Sequence, residues 1–305
     1  MAFRLKRTES VPAGIRRIVR EELDAGLAEL RVAELRVAEV DRENAVHQVR
    51  KRCKRIRSVL RLVRPAIGDQ YADETERFRD IGRQLSEMRD ADVIVEELDR
   101  LRRECGRGKS RRALATLHDE VSQRRAARRS RTKKDHSKLH AVASQFEEAR
   151  RGLKSWNFSR RGWQAIAGGL RHSCNRSCRA LAAIHSEPSD IQLHELRKRV
   201  KDQWYQMRIL EPVWPAVMRT RCHEMKSLTE LLGEDHDLVV VQQAMAESPA
   251  MAKSPDLRNA LSHLIIRLRK QLRSQSLRIA RQLFAENGQS LERRLHAHWK
   301  IWRRG

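Results

Sequence analysis

Aromatic side chains are scarce in this chain: Phe, Tyr and Trp together make up 4% of 305 residues, with two Tyr and five Phe. Modules that read nucleic-acid bases present exposed aromatics for stacking, so this supply argues against base recognition. Cysteine is sparse as well. Cys53, Cys105, Cys174, Cys178 and Cys222 form no C-x-x-C pair, and their odd number leaves one thiol over in any disulfide scheme. Reduced thiols in a cytoplasmic protein are the expectation. Cys174 and Cys178 share a helical face, yet two thiols without further ligands make a poor zinc site. No apolar run approaches the ~20 residues of a membrane span; Leu238 to Val241 is among the longest. The N-terminus carries basic residues but no apolar core of a signal peptide. A soluble, uncleaved chain with no membrane partner is expected.

Acids are in deficit too. Lys and Arg number 65 against 40 Asp and Glu, which gives a net charge of +25. Self-repulsion on that scale opposes compaction unless an anion offsets it, so a polyanionic partner is expected.

What is present is helical periodicity. Val46, Val49, Cys53, Ile56, Leu60 and Val63 recur at spacings of three and four, as do Leu193, Leu196, Val200, Met207 and Leu210. Hairpin signatures are absent. Breakers such as Pro65 with Gly68, Gly106 with Gly108, Pro188, Pro212 with Pro215, and Pro249 with Pro255 predict helices over 12–40, 44–64, 71–103, 110–151, 162–185, 189–210, 215–246 and 255–287. A short amphipathic piece is expected from Ser290 to Trp302.

The chain resembles itself at a fixed offset. His194 follows His47 by 147 positions, and at the same offset Arg50 meets Arg197, Lys51 meets Lys198, Arg52 meets Arg199 and Lys54 meets Lys201. The register continues through Arg61 with Arg208, Pro65 with Pro212, Leu85 with Leu232, Glu87 with Glu234, Asp90 with Asp237, and Val93 with Val240. Duplicated architecture follows: an all-α fold of two pseudo-symmetric four-helix bundles, 1–155 and 156–305.

The identities that survive are mostly polar, while apolar positions drift. Such drift is tolerated in a core when volume is roughly kept. At ~100° per residue His47, Arg50, Lys51, Lys54, Arg57 and Arg61 fall on one flank of their helix, a cationic rail roughly 21 Å long. His194, Arg197, Lys198, Lys201, Tyr205 and Arg208 form the second rail. Like charges at these spacings repel by a few tenths of a kcal/mol per pair, and a linear polyanion would reverse the sign. Arg offers a planar fork to phosphate oxygens, Lys a mobile charge, and His a donor set by pH. Asp90 and Asp237 each lie 11 residues after a cation, Arg79 and Lys226, and are read as carboxylates that orient a rail side chain.

These residues carry a family resemblance. Val46-His47-Gln48-Val49-Arg50 through Lys54-Arg55-Ile56-Arg57, then Met88-Arg89-Asp90-Ala91-Asp92-Val93, is similar to the first half of the CHAD domain, the conserved histidine α-helical domain. Leu193-His194-Glu195-Leu196-Arg197-Lys198 with Lys201 and Tyr205, then Leu232-Gly233-Glu234-Asp235-His236-Asp237-Leu238, resembles its second half. The resemblance implies a basic surface that binds inorganic polyphosphate, and association with polyphosphate granules. No nucleophile and base pair, metal cluster or nucleotide loop emerges from the residues, so neither catalysis nor a cofactor is expected. Arg55, Arg79 and Lys226 join the rails as candidate ligands. Two positions depart from the pattern: Trp204 stands where an Arg is usual and Arg208 where a Glu is usual. The Glu-x-Glu-x-Lys strand of the family's frequent triphosphate-tunnel companion is missing, so its catalysis is not carried over.

Rival readings are weaker. Gly106-Arg107-Gly108-Lys109-Ser110 resembles the end of a P-loop, but Arg103 stands where the first Gly belongs, in a helix rather than after a strand. His136 and His140 have metal-compatible spacing but sit among Lys133, Lys134 and Lys138. An HD-type metal phosphohydrolase would use His236 and Asp237 with His194 or His223, yet the surrounding cations repel a divalent metal. An RNA- or DNA-binding module is the serious alternative, with nucleic acid then competing for the rails.

Overall fold

The computed structural model describes residues 3–35, 39–86, 90–105, 108–128, 132–185 and 187–305. Glu87, Met88, Arg89, Gly106, Arg107 and the side chains of Asp90, Lys133, Lys134 and His136 lie outside the described set. Among the described residues the fold is all-helical. The helices are α1 (Val11–Leu35), α2 (Glu39–Ile67), α3 (Gln70–Gln84), α4 (Asp90–Glu104), α5 (Lys109–Arg128), α6 (Thr132–Gly152), α7 (Gln164–Ala182), α8 (Asp190–Leu210), α9 (Pro215–Ala246), α10 (Pro249–Ala252), α11 (Pro255–Leu283) and α12 (Gly288–Arg304). α1, α2, α3 with α4, α5 and α6 correspond in position to α7, α8, α9, α11 and α12.

α2 forms in spite of its charge because its apolar stripe is fully used. Val46, Val49, Cys53, Ile56, Leu60 and Val63 are all buried. At ~1.5–3 kcal/mol per buried aliphatic side chain, the stripe outweighs repulsion of a few tenths per like-charge pair. Val59 and Leu62 are buried as well, since α2 packs against α1 and α3 as well as α7 and α8.

Pro65 does not end this helix, which runs on to Ile67. Its ring forfeits one backbone bond in the last turn, where the loss is small. Gly68, with φ of 54°, then takes the left-handed position that stops the helix. Against this end of α2 sits the Gly168-Gly169 pair of α7. A Cβ on Gly169 would lie 1.9 Å from the Leu62 carbonyl oxygen, so only glycine permits the two backbones to approach this closely.

Two expected elements differ. The span 71–103 is two helices, α3 ending at the turn where the Leu85 N–H donates to the Ile81 carbonyl at 3.1 Å, whereas α9 runs unbroken through the equivalent stretch. The span 110–151 is helical on both sides of residues 129–131, which lie outside the described set, as α5 and α6. The short C-terminal piece is the full helix α12, capped by Asn287, whose side chain accepts from the Ser290 N–H at 2.9 Å.

Buried apolar side chains form two clusters, and neither follows the boundary between 155 and 156. The larger draws on α1, α2, α3, α6, α7, α8, the first part of α9 and α12. The smaller joins α4 and α5 to the second part of α9, α10 and the first part of α11. Long α9 and α11 reach both clusters, which is how the two stretches come to share their cores. No described helix is long and apolar enough to cross a membrane.

Candidate functional site

α2 and α8, the two rail helices, pack directly on each other. The Ser58 hydroxyl donates to the Asp202 carbonyl at 2.6 Å, and the Gln206 amide donates to the Ser58 carbonyl at 3.4 Å and the Ser173 hydroxyl at 2.9 Å. Ser58 and Tyr205 are equivalent under the 147-residue offset, and both are buried at this crossing.

On the N-terminal side of the crossing the two rails converge. Lys51 and Arg55 of α2 come within electrostatic reach of Lys201 on α8, and Arg197 lies one turn before it. Burial pushes the Lys201 ammonium down to about 8, helped by the fields of Arg197, Lys51 and Arg55 and opposed by Asp237. Burial likewise lowers Arg197, against the pull of Asp237. Its Nε is buried without a hydrogen-bond partner. Neither Arg197 nor Lys201 forms a hydrogen bond or ion pair among the described residues. Holding cations out of water in this state is costly, and an anion in the groove would offset the cost.

Gly233 of α9 makes room for this arrangement: a Cβ there would sit 3.1 Å from Arg197 Nη2. One turn further on, Asp237 places its carboxylate 3.6 Å from His236 Nδ1, while its charge reaches Arg197 and Lys201. The His236 ring stacks on His194 at 4.8 Å. His194 Nδ1 is buried without a partner. Burial, then the charges of Lys198, His236 and Arg197, push the His194 imidazole down to about 4. It is therefore neutral at pH 7, a hydrogen-bond donor or acceptor and not a fixed cation.

The remaining candidates are distributed around the crossing. His47, Arg50, Lys51 and Lys54 lie along the N-terminal part of α2, each with an interaction of its own. Arg55 is shared with Arg52 by the buried Glu22, at 3.2 and 3.0 Å. Arg57 and Arg61 leave on the other flank, where Arg61 pairs with Asp202 at 2.9 Å and Arg57 feels Arg61, Asp202 and Arg79. Arg208 lies over the rings of Trp204 and Phe3, at 5.4 and 5.6 Å. The charge gained at Arg208 thus stacks on the aromatic gained at Trp204.

Tyr205 requires a correction. Spacing puts it on the exposed rail, but at 2% exposure it is a core residue, edge-on to Phe3 with centroids 6.1 Å apart. Arg79 is exposed and held by Glu76 and by Asp80 at 3.3 Å; Lys226 is exposed and pairs with Glu230 at 3.3 Å. Lys198 points to solvent, 4.0 Å from Glu195. Sequence spacing missed His236, Gly233, Glu22 and Asp202 as parts of this neighbourhood. No three His, Cys, Asp or Glu side chains gather as a metal site among the described residues.

Converging donors on two crossed helices, with a carboxylate behind them, can hold a multivalent oxyanion by charge-assisted hydrogen bonds. The profile of the CHAD domain family matches residues 21–246. No curated protein sequence matches the chain. Among solved structures, the crystal structure of the CHAD domain from the plant Ricinus communis superimposes with a TM-score of 0.58 at 17% identity, covering 93% of this chain and 95% of that one.

Proposed function

This chain belongs to the CHAD domain family, and on that premise we propose that it binds inorganic polyphosphate, without turning it over, in the groove between α2 and α8. The observation that carries the reading is the pair Arg197 and Lys201. Both are largely out of water, both are without an ion-pair partner among the described residues, and Lys51 and Arg55 face Lys201 from the opposite helix. A protein folded around unpaired buried cations loses stability unless a ligand brings the missing charge. A chain of ionised phosphates supplies it at regular spacing along a linear groove.

His194 and His47 then act as hydrogen-bond donors at the groove's end, and Asp237 orients Arg197. In the same reading the chain is a duplication, 1–155 and 156–305, of helical bundles whose cores have merged, and association with polyphosphate granules follows from the ligand. Nucleic acid is the rival polyanion. Its bases would need stacking platforms, and the Trp204 ring near the rails is already covered by Arg208.

Competition between long-chain polyphosphate and RNA of equal phosphate content decides between them. The proposal expects polyphosphate to displace RNA at substoichiometric phosphate. Displacement in the reverse order assigns the groove to nucleic acid.

A further inference from the structure

A second cleft opens on the flank of α2 turned away from Arg55, where α2, α7 and α8 meet; the groove reading makes no use of it. Arg61, Arg64, Arg176 and Arg199 line it together with His172. Asp202 is the carboxylate within the lining, and it is already engaged, by Arg61 at 2.9 Å and Arg199 at 3.7 Å. Glu195 binds Arg199 and reaches Arg176 only at 3.7 Å. Arg64 has no carboxylate partner among the described residues; its guanidinium lies over the Tyr71 ring, 5.0 Å from the centroid.

Four guanidinium groups therefore face two carboxylates, and the two least engaged, Arg64 and Arg176, come from different halves of the chain. The imbalance is felt locally. Burial lowers the His172 imidazole, and the charges of Arg64, Arg176, Arg179 and Arg199 lower it further. Arg176 is itself lowered by burial and then by Arg199.

We propose that this cleft is a separate oxyanion pocket that holds one tetrahedral dianion between Arg64 of the first half and Arg176 of the second. The chemistry is that of orthophosphate or of the terminal group of a phosphate chain. Planar guanidinium forks suit such oxygens. The Tyr71 ring walls the cleft, and Asp202 inside it is already paired with Arg61 and Arg199, which it holds in place. Occupancy would tie α2 to α7 and α8, so bound ligand should also stabilise the junction of the halves.

The test follows His172 by NMR in the full chain with labelled histidine, assigned through His172→Asn, during titration with orthophosphate at constant ionic strength. The proposal expects a saturable His172 shift with an upward move of its titration midpoint. The same response should persist in Lys201→Gln and weaken at least tenfold in Arg64→Gln/Arg176→Gln. A long polyphosphate, added at equal phosphate content, moves His172 in proportion to its chain ends if terminal groups are the ligand and leaves it unmoved if the free ion is. Lack of a saturable response in the wild-type protein overturns the pocket, and so does a response indifferent to the arginine substitutions. Failure of the groove reading appears elsewhere, as an unchanged polyphosphate affinity in Lys201→Gln.

Discussion

Raising the pH from 7 to 10 should weaken polyphosphate binding by roughly 70-fold, with Lys201 as the cause. In the free protein the Lys201 ammonium titrates at about 8, because burial and the fields of Arg197, Lys51 and Arg55 disfavour its charge. A bound phosphate chain restores that charge and brings the group back toward its ordinary 10.5. The free protein must then take up a proton to bind wherever the pH lies between the two values. Affinity falls about tenfold per unit above 8 until the bound form also titrates, which gives the roughly 70-fold total by proton linkage. Internal phosphates of a long chain stay fully ionised over this range, so the ligand contributes no slope.

Calorimetry in two buffers of different ionisation enthalpy reads the linkage directly. Uptake of about 0.7 proton is expected at pH 8.5. Lys201→Arg keeps a charge that does not titrate here, so it should bind with a flat profile. Proton uptake that survives in Lys201→Arg would refute the reasoning, as would a flat profile in the wild-type protein.

Other outcomes follow from the same geometry. Lys201→Met should raise the apo protein's Tm at pH 7 while abolishing tight binding: the folded-state value lies below the unfolded one, so the charge costs stability below pH 8 and the cost fades as pH rises toward 10.5. Thermal unfolding should show the full advantage at pH 7 and only about a quarter of it at pH 10. His194, held down to about 4, should give an affinity that strengthens on acidification between about 6.5 and 4, a lower window than an unperturbed histidine would give. The slope in that window should vanish in His194→Gln, measured against a ligand whose ionisation is constant there. Gly233→Ala should stabilise α9 by about 0.5–1 kcal/mol through helix propensity. It should also weaken binding several-fold by moving Arg197, as read by paired denaturation and binding curves.

The sequence disclosed the stripes of α2 and α8 and their repetition because both follow from helical spacing alone. It disclosed the groove's principal cations for the same reason, since Arg197 and Lys201 share a flank with His194. What it could not disclose is where another helix crosses that flank. Tyr205 lies on the rail by angle, yet α8 meets α2 there and buries it, as it buries Ser58. The rails therefore part beyond the crossing, with Arg61 drawn to Asp202 on one side and Arg208 laid over Trp204 on the other. Asp202 stands where the first half has Arg55, and His236 where it has Arg89, so a search for identities between the halves passed over both. Pro65 read as a helix end, and the nearby approach of Gly169 that organises that region depends on the fold as a whole.

The central claim is that affinity comes from the converging cations of the groove and not from a net charge of +25. The most direct measurement compares Arg197→Gln/Lys201→Gln with Arg293→Gln/Lys300→Gln, which removes two exposed charges from α12, at physiological salt where remote charges are screened beyond ~8 Å. With circular dichroism showing both variants equally helical, the groove variant should lose about 100-fold in polyphosphate affinity, equivalent to ~2.7 kcal/mol over two charge-assisted contacts. The α12 variant should stay within about threefold of the wild-type protein, a shift of ~0.6 kcal/mol. Equal losses in the two variants would contradict the account and leave a generic polycation.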